Sequence, residues 1–298
     1  MRLLATIFIG VLTLSSCKTD TGTSEPSTLA TEKPVSSPES VEAQKVIAGL
    51  RSQIREADDE ATKKSLMLSG LARAEEHKLG SAAIGFLMPL VKDYADDPNA
   101  EQYLAKLASA LQDVGKSIPG DILANAYVAK YPKGKYLTSI LKKRKSEIRD
   151  MPKYLKGLAE TIFVDPDKFG INRTNTQTYV DACEAYALGY GDSDDAPVFL
   201  YRAAEMARTL KTYPKAITIY EWISSKYPDY EKTPTTVFLK GFILENDIRD
   251  KAAAKKVYQE FLDNYPKSDL VDDVQFLLKN IDKTDEQIMQ EIDAKAKK

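Results

Sequence analysis

Ala254–Pro266 reads AKKVYQEFLDNYP, and Ala216–Pro228 reads AITIYEWISSKYP. In the first, Ala254, Tyr258, Phe261 and Tyr265 are spaced by four, three and four residues, and Ala216, Tyr220, Ile223 and Tyr227 repeat that spacing in the second. Such a row lies on one face of an α-helix. Proline one residue later ends the helix, because it restricts the residue before it and supplies no backbone N–H. Three more rows share the pattern: Ala83, Leu87, Leu90, Tyr94; Gly120, Ala124, Tyr127, Tyr131; and Tyr179, Cys183, Tyr186, Tyr190. The closing tyrosines are 37, 59, 37 and 38 residues apart. The residues after them are Ala95, Pro132, Gly191, Pro228 and Pro266, four of which are helix terminators. A period held over five rows is an internal repeat, and a repeat sets the architecture before any single motif does.

Each period also holds an earlier helix. Leu104, Leu107, Ala108 and Leu111 form an apolar face before the Tyr131 row, and Leu200, Ala203, Ala204 and Ala207 do so before the Tyr227 row. Small residues at Ala204 and Ala216 allow close helix approach. A lone helix hairpin of this kind cannot bury its apolar face, whereas stacked hairpins can. The expected fold is all-α, a right-handed α-solenoid of about five to six hairpins with a concave side.

These features resemble the tetratricopeptide repeat (TPR). With Pro197 at position one of the unit, Ala204 falls at the small position eight, Ala216 at the alanine of position twenty, Tyr220 at the aromatic of twenty-four and Pro228 at the proline of thirty-two. Ala254, Tyr258 and Pro266 match the same second-helix positions in the next unit. The family's tryptophan and first-helix tyrosine are missing, and the period exceeds thirty-four. The resemblance covers about residues 41–281 and is strongest over 196–278.

The composition is 43% apolar and 29% charged, with a net charge of −2. It offers no basic field for nucleic acid. Two cysteines and the single His77 exclude a disulfide framework and leave little for a histidine-based site. Met1-Arg2 followed by an apolar run, Leu3 to Leu14, is too short to span a bilayer and reads as a signal peptide. Leu14-Ser15-Ser16-Cys17 resembles the bacterial lipobox, which implies cleavage before Cys17 and acylation of its thiol. Lys18 to Ser40 is rich in Thr, Ser, Pro and Glu and reads as a disordered tether. The expected organisation is residues 1–16 signal peptide, 17–40 tether from a lipidated Cys17, and 41–298 repeat domain. Lys18 after the cysteine favours, by the same resemblance, the outer membrane, with the periplasmic face preferred. Lipobox, tether and Tyr-Pro endings together resemble BamD-like and CpoB-like envelope proteins, and most of all TPR lipoproteins of Bacteroidetes.

The 59-residue interval marks an irregular insertion, about 134–173. Tyr136 to Asp150 reads as a helix carrying Lys142-Lys143-Arg144-Lys145, Pro152 to Phe163 as a short helix, and Val164 to Arg173 as a loop. A C-terminal cap is expected over about 268–298, with Ser268 or Asp269 as one helix cap and Thr284 with Gln287 as a capping box.

No phosphate loop, nucleophile elbow or metal-binding motif occurs. Asp165-x-Asp167-x-x-Gly170 begins like an EF-hand loop, but Phe169 and Thr176 stand where acidic ligands are required. Asp195 suits a helix cap. Cys183 lies in the column of Tyr220 and Tyr258 and reads as a small buried hydrophobe; Trp222 reads as packed but partly exposed. No catalytic residue, metal or cofactor is expected. TPR grooves are commonly lined by first-helix positions, which here give Tyr201, Glu205, Arg208, Phe238, Phe242 and Glu245 as a candidate partner groove. The expected function is a non-enzymatic, membrane-anchored scaffold binding an envelope protein or peptide, with no nucleic acid. A subunit of outer-membrane β-barrel assembly or cell-wall coordination machinery, or a surface glycan- or nutrient-binding lipoprotein, are the alternatives.

Overall fold

The computed structural model describes residues 38–163, 170–284, 286, 287, 289 and 290. The stretch expected to be a signal peptide, Cys17, nearly all of the expected tether, the centre of the 164–173 loop with its EF-hand-like start, and the end of the expected C-terminal cap lie outside the described residues.

The described residues form α1 (Pro38–Glu56), α2 (Glu60–Glu76), α3 (Gly80–Asp93), α4 (Ala100–Asp113), α5 (Ser117–Lys130), α6 (Leu137–Lys143), α7 (Met151–Glu160), α8 (Arg173–Gly189), α9 (Asp195–Thr209), α10 (Tyr213–Lys226), α11 (Thr233–Ile243), α12 (Lys251–Asn264) and α13 (Val271–Asn280). Consecutive helices pack side by side along most of the chain, so the fold is an all-α, TPR-like solenoid. One apolar core runs from α1 to α11, and a second joins α11, α12 and α13. The first helix is described from Pro38, with Ser40 buried, so helix is already present before residue 41.

The five rows found in the sequence are the second-helix cores. Leu90, Tyr127, Tyr186, Ile223 and Phe261 are all buried, as are Leu87, Ala124, Cys183, Tyr220 and Tyr258 one turn earlier. The closing tyrosine of each row is the C-cap of its helix, half-buried, with φ between −125° and −129°. After each, two successive turns recur: Tyr94, Tyr131, Tyr190, Tyr227 and Tyr265 each accept at their carbonyl from the N–H three residues on, at 3.0–3.2 Å. The residue reached, Asp97, Gly134, Ser193, Tyr230 or Ser268, accepts in turn from the N–H three further on, which opens the next helix. These bonds satisfy groups that a helix end leaves orphaned.

Within the α2–α3, α4–α5 and α9–α10 hairpins the turn is a Schellman ending, with Lys78, Gly115 and Lys211 in the left-handed region at φ 54°, 81° and 61°. In the α11–α12 hairpin a single π-turn, Leu244–Ile248, inserts one residue before left-handed Arg249. That insertion is why the last period is 38 rather than 37 residues.

Several local expectations are corrected. Tyr136 to Asp150 is not one helix: α6 stops at Lys143, and residues 144–150 run extended across α5. The reason is that Asp121 and Asn125 of α5 take the strap's backbone groups as hydrogen-bond partners. Asp195 is not a cap but the first residue of α9; Ser193 Oγ accepts from its N–H at 3.3 Å. Ser268 Oγ plays the same part for Leu270 N–H at 3.3 Å. Trp222 is buried, not partly exposed. The Thr284–Gln287 capping box is present, with reciprocal bonds of 2.9 and 3.3 Å.

The insertion also changes the stacking. After α5 the short α6 does not build a full first helix, and α8 packs directly on α5. Gly189 of α8 makes this possible: a Cβ there would lie 2.5 Å from Ala126 Cβ. α3 touches α8 as well, and Lys92 of α3 lies 5.8 Å from the centre of the Trp222 ring on α10.

Gly241 shows how tightly the two helices of the α11–α12 hairpin interlock, since a Cβ there would meet Tyr258 Cε1 at 2.5 Å. Gly241→Ala is expected to lower unfolding free energy by about 1–3 kcal/mol in urea titrations, through overpacking. Gly49→Ala, with open space around it in α1, is expected to raise it by about 0.5–1 kcal/mol.

Candidate protein-binding surface

The six first-helix candidates are all half-buried. On α9, Tyr201, Glu205 and Arg208 share one face. Glu205 Oε1 accepts from the hydroxyl of buried Tyr220 at 2.5 Å and from Arg208 Nη1 at 3.1 Å. Tyr201 lies 6.4 Å from the Tyr220 ring and carries Lys232 Nζ 4.9 Å from its own ring centre, a cation–π contact. On α11, Phe238 and Phe242 pair at 6.2 Å, and Phe238 packs on the second core. Glu245, in the π-turn, accepts from Tyr258 Oη at 2.7 Å. Both glutamates therefore serve the interior, where they satisfy phenols whose rings fill the core.

The same pairing recurs. Tyr127 donates to Glu101 Oε1 at 2.5 Å, and Tyr94 to Glu60 Oε2 at 3.0 Å. In four hairpins a second-helix tyrosine reaches across to a glutamate of its partner helix. A buried phenol without a partner is costly, and a charged acceptor makes the stronger bond. The register differs between units, so alignment of the columns does not reveal these pairs.

Other features have no counterpart in the repeat pattern. A cleft of about 410 Å³ separates α2, α4 and the start of α6, floored by Ala83 and Ala105 and edged by the Lys106–Glu75 ion pair at 2.8 Å. A second, about 440 Å³, opens at the C-terminal ends of α3, α5 and α8, where Lys92, Lys130 and Lys226 gather with Asp192. Deeper inside, Glu184 of α8 is 4% exposed and pairs with Lys215 Nζ at 3.0 Å. Burial holds the Glu184 carboxyl above the usual carboxylate range despite the lysine.

The Cys183 thiol is fully buried and pushed up by that burial. His77 caps α2 with its Nε2 3.8 Å from Glu76. Among the described residues no group of three or more metal-ligating side chains occurs, and no helix is long and apolar enough to cross a membrane.

Residues 236–268 match the family described as tetratricopeptide repeat. The chain contains a TPR unit. The matched stretch runs from within α11 through α12 to the turn that follows, and so includes the Tyr265-Pro266 ending. No curated protein matches the chain. TPR units generally bind protein partners, and a helical repeat of this type is typically a scaffold.

Two measurements test the electrostatics. Burial, reinforced by Glu60 and Glu101, pushes the phenols of Tyr94 and Tyr127 up from 10.0 to about 12. Because the folded values are raised, the associated stability is complete below pH 10.0 and is lost as pH rises through about 12. Alkaline titration should show tyrosinate absorbance and loss of helical circular dichroism rising together in that window. Lys215→Met should cost about 1–3 kcal/mol at neutral pH, the lysine being partly solvent-screened. Its deficit should shrink on acidification, as Glu184 becomes protonated in both proteins.

Proposed function

We propose that this chain is a membrane-anchored TPR scaffold that binds an envelope protein or peptide. The observation that carries the reading is a stacked-hairpin architecture containing a TPR unit, whose acidic and phenolic groups are spent on holding the hairpins together. The partner-facing surface we favour is the α9–α11 face, where Tyr201, Arg208, Phe238 and Phe242 stay partly accessible while Glu205 and Glu245 fix the core tyrosines beneath. Half-buried aromatics beside a cation form the kind of anchor that protein interfaces use.

The anchoring half of the proposal rests on the Leu14–Cys17 resemblance to a lipobox and on the polar stretch after it. Acylation of Cys17 would hold the chain to a membrane, with the outer membrane and its periplasmic face as the proposed location. Cys17→Ala is expected to move the protein from the membrane fraction to the soluble fraction; retention in the membrane would sink the anchoring proposal. Crosslinking in native membranes followed by purification should recover a protein partner, and Tyr201→Ala with Phe242→Ala should reduce its yield severalfold. Turnover of a small molecule by the purified chain, abolished by one acidic substitution, would replace the scaffold reading with an enzymatic one.

A further inference from the structure

α5 is apolar along most of its buried length, yet Asp121 and Asn125, one turn apart, are 4% and 7% exposed. Burying such groups is unfavourable unless they are hydrogen-bonded. Their partners are the backbone of residues 144–150, the extended strap after α6. Asn125 Nδ2 donates to the Ser146 carbonyl at 2.9 Å, and Asn125 Oδ1 accepts from Ile148 N–H at 3.2 Å. This is the two-point pairing that a side-chain amide makes with an extended chain. Asp121 Oδ1 accepts from Lys145 N–H at 2.8 Å and is held in place by Gln112 Nε2 at 2.6 Å.

The strap presents few side chains to this receptor. Lys145, Ser146 and Glu147 are exposed, whereas Arg144 and Ile148, four residues apart, are half-buried. Arg144 Nη1 donates to Asn125 Oδ1 at 3.1 Å, and Ile148 packs on the main core. Before them, Lys143 pairs with Asp113 at 2.7 Å. The surface therefore reads backbone conformation, a cationic side chain, and an aliphatic residue four positions later. Of the basic run, Lys143 at the end of α6 meets Asp113 of α4, and Lys145 Nζ donates to Ser117 Oγ of α5 at 2.8 Å.

We propose that Asp121 and Asn125 form a receptor for an extended basic peptide, occupied in the resting protein by residues 144–150. A partner segment of the same chemistry, Lys or Arg followed four residues later by an aliphatic side chain, exchanges for the strap. This inference rests on the protein-binding reading and names a partner class for it. A mostly exposed segment held by a few contacts opens locally at modest cost. As a tethered occupant it competes at an effective concentration on the order of millimolar, so a free peptide binds weakly until the strap is loosened.

The test uses the full chain and a labelled peptide with the sequence of residues 142–150. Arg144→Ala with Ile148→Ala removes the strap's anchors and leaves the receptor intact. The peptide should bind this variant about tenfold or more tighter than the wild type. Adding Asn125→Asp should abolish the gain, and a scrambled peptide should not show it. Absence of binding to the loosened variant with helicity retained, or equal binding of the scrambled peptide, overturns the proposal. If Asn125→Asp fails to fold, hydrogen exchange decides: saturating peptide should speed exchange of the Lys145 and Ile148 amides in the wild type, and unchanged exchange overturns the proposal. A crosslinked partner that contacts only α9 and α11 would also overturn it while leaving the scaffold reading standing.

Discussion

The tyrosine that ends each second helix is the constraint on which the array depends. Its carbonyl opens a turn that hands the chain to a second turn and then to the next helix, with the same spacing after α3, α5, α8, α10 and α12. Helix ends must place their unpaired carbonyls and amides somewhere. Here they are placed the same way five times, so each second helix hands the chain on through the same pair of turns. The half-buried ring locks that geometry against the core, and the hydroxyl of Tyr227 reaches the Gly191 carbonyl of the preceding linker at 3.0 Å.

The core tyrosines add a second layer of definition. A phenol supplies a large apolar ring and one polar atom that must be satisfied. Core Tyr127, Tyr220 and Tyr258 each send their hydroxyl across the hairpin to a glutamate, as the closing Tyr94 does to Glu60, which fixes how the two helices are set against each other. Leucine would fill the same space without specifying the partner. Charge on the first helices is thus partly structural, Glu205 also holding Arg208 at 3.1 Å.

The insertion turns a regular stack into an asymmetric one. α6 starts after the same double turn as other first helices but is seven residues long. Asp121 and Asn125 then favour extended chain over further helix, because their buried polar atoms need backbone partners. With no full first helix to fill the place beside α5, α8 closes onto it through Gly189 and Ala126. Lys92 of α3 then lies 5.8 Å from the centre of the Trp222 ring on α10.

The repeat, its period and its core were legible in the order of residues alone. Rows stepping by four, three and four residues show their buried face directly, because helical periodicity is local. Cys183 as a core residue and the Thr284–Gln287 capping box were legible for the same reason. The partners of side chains far apart in the chain emerged only once the helices were packed. Nothing near Glu205 or Glu245 shows that each accepts from a core phenol, and nothing near residues 144–150 shows that α5 will straighten them. Asp121 and Asn125 drew no reading from the sequence, because what they bind lies some twenty residues onward. Local periodicity fixes which face is buried; what that face meets is set by the packing of distant elements, and the polar groups of this chain take their roles from that packing.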